Sequence, residues 1–157
     1  MKLNRWFLGD IAGVVAAALL AALVALAVSA VVFRYAVGAP LAWAEEVESL
    51  LLLWIIMIGL IYGKRKNMLL RMDILLNLFS PGVRRVVMIM QECVHVGMFG
   101  LMAYYGYNLA LQVGSKGTSM LGIPLYWLYI SLPIGAAGAL VIAAIQLYCQ
   151  ITGQEAE

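Results

Sequence analysis

Glu92 and His95 stand three residues apart inside an apolar run, a spacing that puts both on one face of a helix. A carboxylate and an imidazole so placed could relay a proton or supply half of a metal site. The metal reading is short of ligands, since a bound transition ion takes three or four and the chain has one histidine. A relay needs further ionisable groups along its path, and the other apolar runs offer none at matching depth. The plainer reading is a polar contact to a neighbouring helix, with Glu92 reaching toward basic residues near a membrane surface. The second candidate is the acidic turn Glu45, Glu46 and Glu48. It could bind a cation or dock a basic partner, or it could be a helix end whose carboxylates face water and pair with Arg34. Cys93 and Cys149 fall in apolar segments with no metal or disulfide spacing and read as small buried residues. No phosphate-cradling glycine loop, nucleophile with a base or pair of catalytic carboxylates is present, so neither catalysis nor a cofactor or metal is expected.

The elements that must position these residues follow from composition. The chain has 157 residues, 65% of them hydrophobic and 11% charged, whereas a soluble domain carries about 25% charged residues. So few charges cannot cover a water-facing surface, and lipid must solvate most of the molecule. A spanning helix takes roughly 20 apolar residues. The sequence therefore reads as one all-α integral membrane domain over 1–157, with four spans at about 9–33, 41–62, 86–111 and 124–148. Val28-Ser29-Ala30 resembles a signal cleavage site, but the apolar run before it exceeds the ~7–15 residues of a signal peptide. The first span is expected to be a retained anchor. In the second, a carboxylate at the bilayer centre would cost about 2.5–3.5 kcal/mol, so the acidic turn belongs at the interface. The strictly apolar part, Leu50 to Tyr62, is short.

Between the second and third spans, Met68, Leu69, Met72, Leu75, Leu76 and Phe79 recur at three- and four-residue spacing. This predicts an amphipathic helix over 68–79 lying flat on the membrane and stopped by Ser80-Pro81-Gly82. With four spans, Lys2, Arg5, Lys64, Arg65, Lys66, Arg71, Arg84 and Arg85 share one side, and the other side holds Arg34 and Lys116. The positive-inside rule places the eight in the cytoplasm, with both termini. Lys64, Arg65, Lys66, Arg71, Arg84 and Arg85 are expected to anchor the chain to lipid headgroups. Trp43, Tyr104, Tyr105, Tyr107, Tyr126, Trp127 and Tyr129 fall near span ends, where interfacial rings belong. The basic residues make no stripe with stacking aromatics, which argues against nucleic acid as a partner. Stripes of small residues, Gly13, Ala17, Ala21, Ala25 and Ser29 in the first span and Gly135, Ala139 and Ala143 in the fourth, favour close helix packing, within the chain or with another.

From Phe33 the chain reads FRYAVGAPLAWAEEVESLLLLWIIMIGLIYGKRKNMLLRMD, and from Leu121 LGIPLYWLYISLPIG. In order and spacing, Arg34-Tyr35, Pro40-Leu41, Trp43, Glu45-Glu46, Trp54, Gly59, the basic turn, Pro124, Tyr129 and Pro133 resemble the DctQ-like small membrane subunit of tripartite ATP-independent periplasmic (TRAP) transporters. Leu69 stands where the family often has histidine, so no role of that histidine carries over. The resemblance implies a non-enzymatic scaffold in the bacterial inner membrane. Its partners would be a large membrane subunit that carries the transport sites and a periplasmic substrate-binding protein. The cargo would be an organic acid, such as a C4-dicarboxylate, sialic acid or another sugar acid, taken up with sodium. On this reading Arg34, Trp43, Glu45, Glu46 and Glu48 contact a partner on the periplasmic side. The competing reading is a self-sufficient four-helix transporter working through Glu92.

Overall fold

The computed structural model describes residues 3–66 and 81–152, with side chains over 12–66 and 82–152. The flat helix expected over 68–79, and Arg71 with it, lie outside the described residues. The long apolar runs fold as helices because each satisfies its own backbone hydrogen bonds without water. Helix α1 (Leu3–Val32) runs into a π-helical turn, Phe33–Val37, which Gly38 ends in the left-handed conformation at φ 71°. Helices α2 (Ala44–Arg65) and α3 (Pro81–Val113) follow, then a short α4 (Tyr126–Tyr129) and α5 (Ser131–Thr152). Four long helices are thus present, the number expected, and the described residues include no strand beyond a single bridge between Gly117 and Pro124. Among the described residues, three stretches are long and apolar enough to cross a membrane: Ala12–Val37, Gly82–Val113 and Tyr126–Thr152. Pro133 sits in the first turn of α5, where no intrahelical N–H is needed from it.

The long helices pack in the order α1, α2, α5, α3, with α5 in contact with both α2 and α3. Close approach decides this order. Gly135 of α5 leaves so little room that a Cβ built on it would lie 2.6 Å from Met57 Cβ and 3.1 Å from Met57 Cα on α2. The α5 stripe Gly135, Ala139, Ala143 is buried within the chain. Phe99, Ala139 and Ala143 form the apolar centre, with Leu60, Val96 and Leu140 packed around it. The α1 stripe behaves differently. Gly13 faces the Tyr62 ring of α2, but Ala17, Ala21, Ala25 and Ser29 are exposed. Buried large side chains are few, and Val14, Val94, Met90 and Leu101 are all more than 60% exposed, as expected of helices solvated by lipid or by another subunit.

Candidate functional site

Two polar clusters stand out, one near each end of α2. At the N-terminal end, Glu45 and Glu46 occupy the first turn, where the helix dipole favours negative charge. They divide the work. Glu45, 77% exposed in its side chain, meets Arg34 at 3.4 Å across the bend from the π-helical turn, a solvated pair worth little on its own. Glu46 reaches the loop between α3 and α4. Its Oε1 accepts the Met120 N–H at 2.8 Å and its Oε2 the Leu121 N–H at 3.0 Å. That loop is a tight hairpin. Thr118 N–H donates to the Ile123 carbonyl, Gly122 N–H to the Thr118 carbonyl, and Gly122 turns the chain at φ 64°. Glu48 is half-buried, and Trp43 is 41% exposed at the helix cap. One helical stretch further along, Trp54 Nε1–H donates to the Trp127 carbonyl at 3.1 Å, tying α2 to α4.

α2 is not among the three stretches long and apolar enough to cross a membrane, and its acidic turn precedes its apolar run. Burial is the largest single influence on the Glu46 carboxyl and acts to raise its pKa. Donation from Met120, the Thr118 hydroxyl, Leu121 and Ser119 outweighs it and brings the pKa below the ordinary carboxylate value. A lowered folded-state pKa means that the contact stabilises the docked loop above the ordinary carboxylate range. It is lost as pH falls through the lowered value. Glu46→Ala is expected to speed amide exchange at Met120 and Leu121 roughly tenfold at neutral pH, because both N–H groups lose a charged acceptor. Unchanged protection by hydrogen-exchange mass spectrometry would show that the loop holds its shape alone.

At the other end of α2, Lys64 turns inward, 3% exposed. Its Nζ lies 2.6 Å from Glu92 Oε2 and 3.0 Å from His95 Nδ1 on α3. Gln146 of α5 donates to the Lys64 carbonyl at 3.3 Å, so three helices meet there. The same His95 Nδ1 lies 3.5 Å from Glu92 Oε2, so one ring nitrogen faces both the ammonium and the carboxylate. The ring stacks on Phe99, 5.9 Å between centroids and 12° between planes, which fixes its orientation.

Glu92 and His95 thus share one face, as their spacing predicts, and the structure adds an ionisable group at their depth, Lys64. The expectation that the other apolar runs lack one is corrected here. The sequence signal was the length of the apolar run. Leu50 to Tyr62 covers about 20 Å at 1.5 Å per residue, against ~30 Å of hydrocarbon, so a spanning α2 draws Lys64 inside, where it needs a counter-charge. Of the other basic residues expected at the surface, Lys66 is exposed over the Tyr62 ring, 5.8 Å from its centroid, and Arg65 is half-buried. Arg84 is exposed, and Arg85 donates to the Gln150 and Ile151 carbonyls at 3.3 and 3.1 Å, closing the last turn of α5. Cys93 is exposed rather than buried, and Cys149 is half-buried. Among the described residues no group of three metal-binding side chains occurs.

Comparison with known proteins gives this arrangement a context. The chain is 32% identical over 111 residues to the ectoine TRAP transporter small permease protein TeaB of Halomonas elongata, covering 69% of this chain and 57% of that protein. It is 26% identical over 102 residues to the C4-dicarboxylate TRAP transporter small permease protein DctQ of Rhodobacter capsulatus, covering 64% of this chain and 45% of that protein. The matched part thus spans about half the length of these relatives. Both are transporter subunits rather than enzymes. The model of the family described as "Tripartite ATP-independent periplasmic transporters, DctQ component" matches residues 23–153, and the chain belongs to that family, as a small TRAP permease subunit.

Proposed function

We propose that this chain is the scaffold subunit of a TRAP-type secondary transporter in a bacterial inner membrane. It holds a large membrane subunit in place while a periplasmic binding protein delivers an organic acid, and uptake is coupled to sodium. In this reading α2 is a fourth span, both termini face the cytoplasm, and the flat helix over 68–79 rests on the cytoplasmic leaflet. The family match over residues 23–153 carries the proposal. The geometry is in keeping with it. A scaffold needs packing surfaces and a rigid frame, and Glu92, the carboxylate a self-sufficient transporter would have to use, is already held by Lys64. The relatives act on ectoine and on C4-dicarboxylates, and a small dicarboxylate, sialic acid or another sugar acid is the cargo class proposed here.

The test is uptake by proteoliposomes containing this chain, the large membrane subunit and the binding protein, with each omitted in turn. Omission of this chain is expected to abolish sodium-dependent uptake. Transport by this chain alone would overturn the proposal. Arg34, Trp43, Glu45, Glu46 and Glu48 are proposed to face a partner on the periplasmic side, but Glu46 also holds the chain's own loop. Glu45→Lys is therefore the cleaner probe, since it leaves that loop alone. It is expected to reduce assembly or uptake severalfold, and assembly and uptake both at wild-type levels would remove Glu45 from the contact.

A further inference from the structure

The loop between α3 and α4 satisfies its own backbone to a degree that water would not require. Thr118 N–H donates to the Ile123 carbonyl, Gly122 N–H to the Thr118 carbonyl and Leu125 N–H to the Lys116 carbonyl. Ile123 N–H donates to the Thr118 hydroxyl at 3.1 Å. Met120 and Leu121 give theirs to the Glu46 carboxylate, and Ser119 N–H lies against the same group. Pro124 has no N–H to place. Yet the side chains at the tip are apolar and bare, with Met120 64% and Leu121 43% exposed. Paired donors beneath bare apolar side chains are what a segment needs in order to leave water, because an N–H taken out of water without a partner is costly.

Depth and size narrow what the tip can meet. Arg85, near the start of α3, and Val113, where α3 gives way to the loop, stand about 42 Å apart along the helix at 1.5 Å per residue. A bilayer with its headgroup layers is ~40–45 Å thick. With Arg85 in one headgroup layer, the loop lies in the other. Tyr104, Tyr105 and Tyr107 toward that end of α3, and Trp127 just after the loop, are all exposed, as rings at a membrane interface are. A protein interface buries on the order of 800 Å² per partner, far more than two side chains offer, whereas a lipid surface needs no matching patch.

We propose that this loop is an interfacial anchor: Met120 and Leu121 enter the apolar edge of the leaflet opposite to Arg84 and Arg85, and Glu46 holds the tip in the shape that allows it. The anchor requires only that the chain spans a bilayer, so it goes beyond the scaffold reading and does not depend on it. Glu46 acts in two ways. It takes up the donors that would otherwise resist leaving water, and it ties the tip to the first turn of α2. Its own charge stays at the level of the headgroups.

The test uses the full chain in lipid nanodiscs, alone and together with the large membrane subunit. On a background of Cys93→Ala and Cys149→Ala, nitroxide labels are attached at Met120→Cys, Leu121→Cys and, as a reference, the exposed Ser115→Cys. Oxygen concentrates in the bilayer and a nickel chelate stays in water. Relative to the reference, the labels at 120 and 121 are expected to favour oxygen over the chelate severalfold, in both preparations. Adding Glu46→Ala is expected to bring them back toward the reference. If the chelate reaches 120 and 121 as readily as 115, the anchor is refuted. If the large subunit or the binding protein shields both labels from oxygen and chelate alike, the tip meets protein, and the anchor is refuted as well. If Glu46→Ala leaves the labels unchanged, Glu46 is not what holds the tip. The scaffold reading is tested separately by uptake, which none of these outcomes measures.

Discussion

Glu92→Leu is expected to cost the folded chain about 3–5 kcal/mol, the penalty for removing one partner of a buried ion pair. Lys64 is 3% exposed, and among the described residues Glu92 is its only anionic contact. Without it the buried ammonium would face the His95 ring with no carboxylate beside it among the described residues. The side chain would then lose its proton, or α2 would shift until Lys64 reached water. Thermal unfolding in detergent should show a lower midpoint, and yield from membranes should fall. The companion variant separates lost charge pairing from lost packing. Lys64→Met combined with Glu92→Leu removes both charges and is expected to recover most of the stability, since apolar replacement of a whole buried pair is often neutral or stabilising. A double variant as unstable as Glu92→Leu alone would mean that the pair matters through packing and not through charge.

The second large effect is steric. Gly135→Leu is expected to force α2 and α5 apart at the place where they come nearest. Even an alanine Cβ there would stand 2.6 Å from Met57 Cβ and 3.1 Å from its Cα, and a backbone atom cannot rotate away. Overpacking of this kind costs about 1–3 kcal/mol or more. Gly138→Ala should be milder, because its nearest neighbour is Ile61 Cδ1 at 2.7 Å, the tip of a side chain that has other rotamers. Met57→Gly is expected to restore part of what Gly135→Ala loses. Equal unfolding midpoints for Gly135→Leu and wild type would show that these helices slide freely past each other. The Trp54 bond to the Trp127 carbonyl, less than one helical turn from Met57, argues that they do not.

The helices were legible in the sequence because lipid imposes a strict rule: a long apolar run must satisfy its own backbone. The share of Glu92 and His95 in one cluster was legible from their spacing alone. Glu92 was expected to reach basic residues near a membrane surface, but Lys64 was not singled out among them. It sits in the basic run Lys64-Arg65-Lys66, which looks like an ordinary surface anchor, and only the packing order of the helices brings α2 to α3 beside α5. The roles within the acidic turn were hidden for a similar reason. Nothing local to Glu46 marks it as the ligand of a loop some 74 residues away, while its neighbour Glu45 pairs with Arg34, as the sequence allowed. The two small-residue stripes read alike in the sequence. Only contacts between helices show that the α5 stripe is spent inside the chain and that most of the α1 stripe is left on the surface.

The 28 residues that separate Lys64 from Glu92 also bear on how the protein is made. α2 is made before α3 exists, and during that interval Glu92 is not there to pair with Lys64. The charge pair can close only after α3 has followed, and the Gln146 amide of the last helix reaches the Lys64 carbonyl later still. The contacts at this end of α2 therefore become available in chain order, the charge pair first and the clasp on the backbone last.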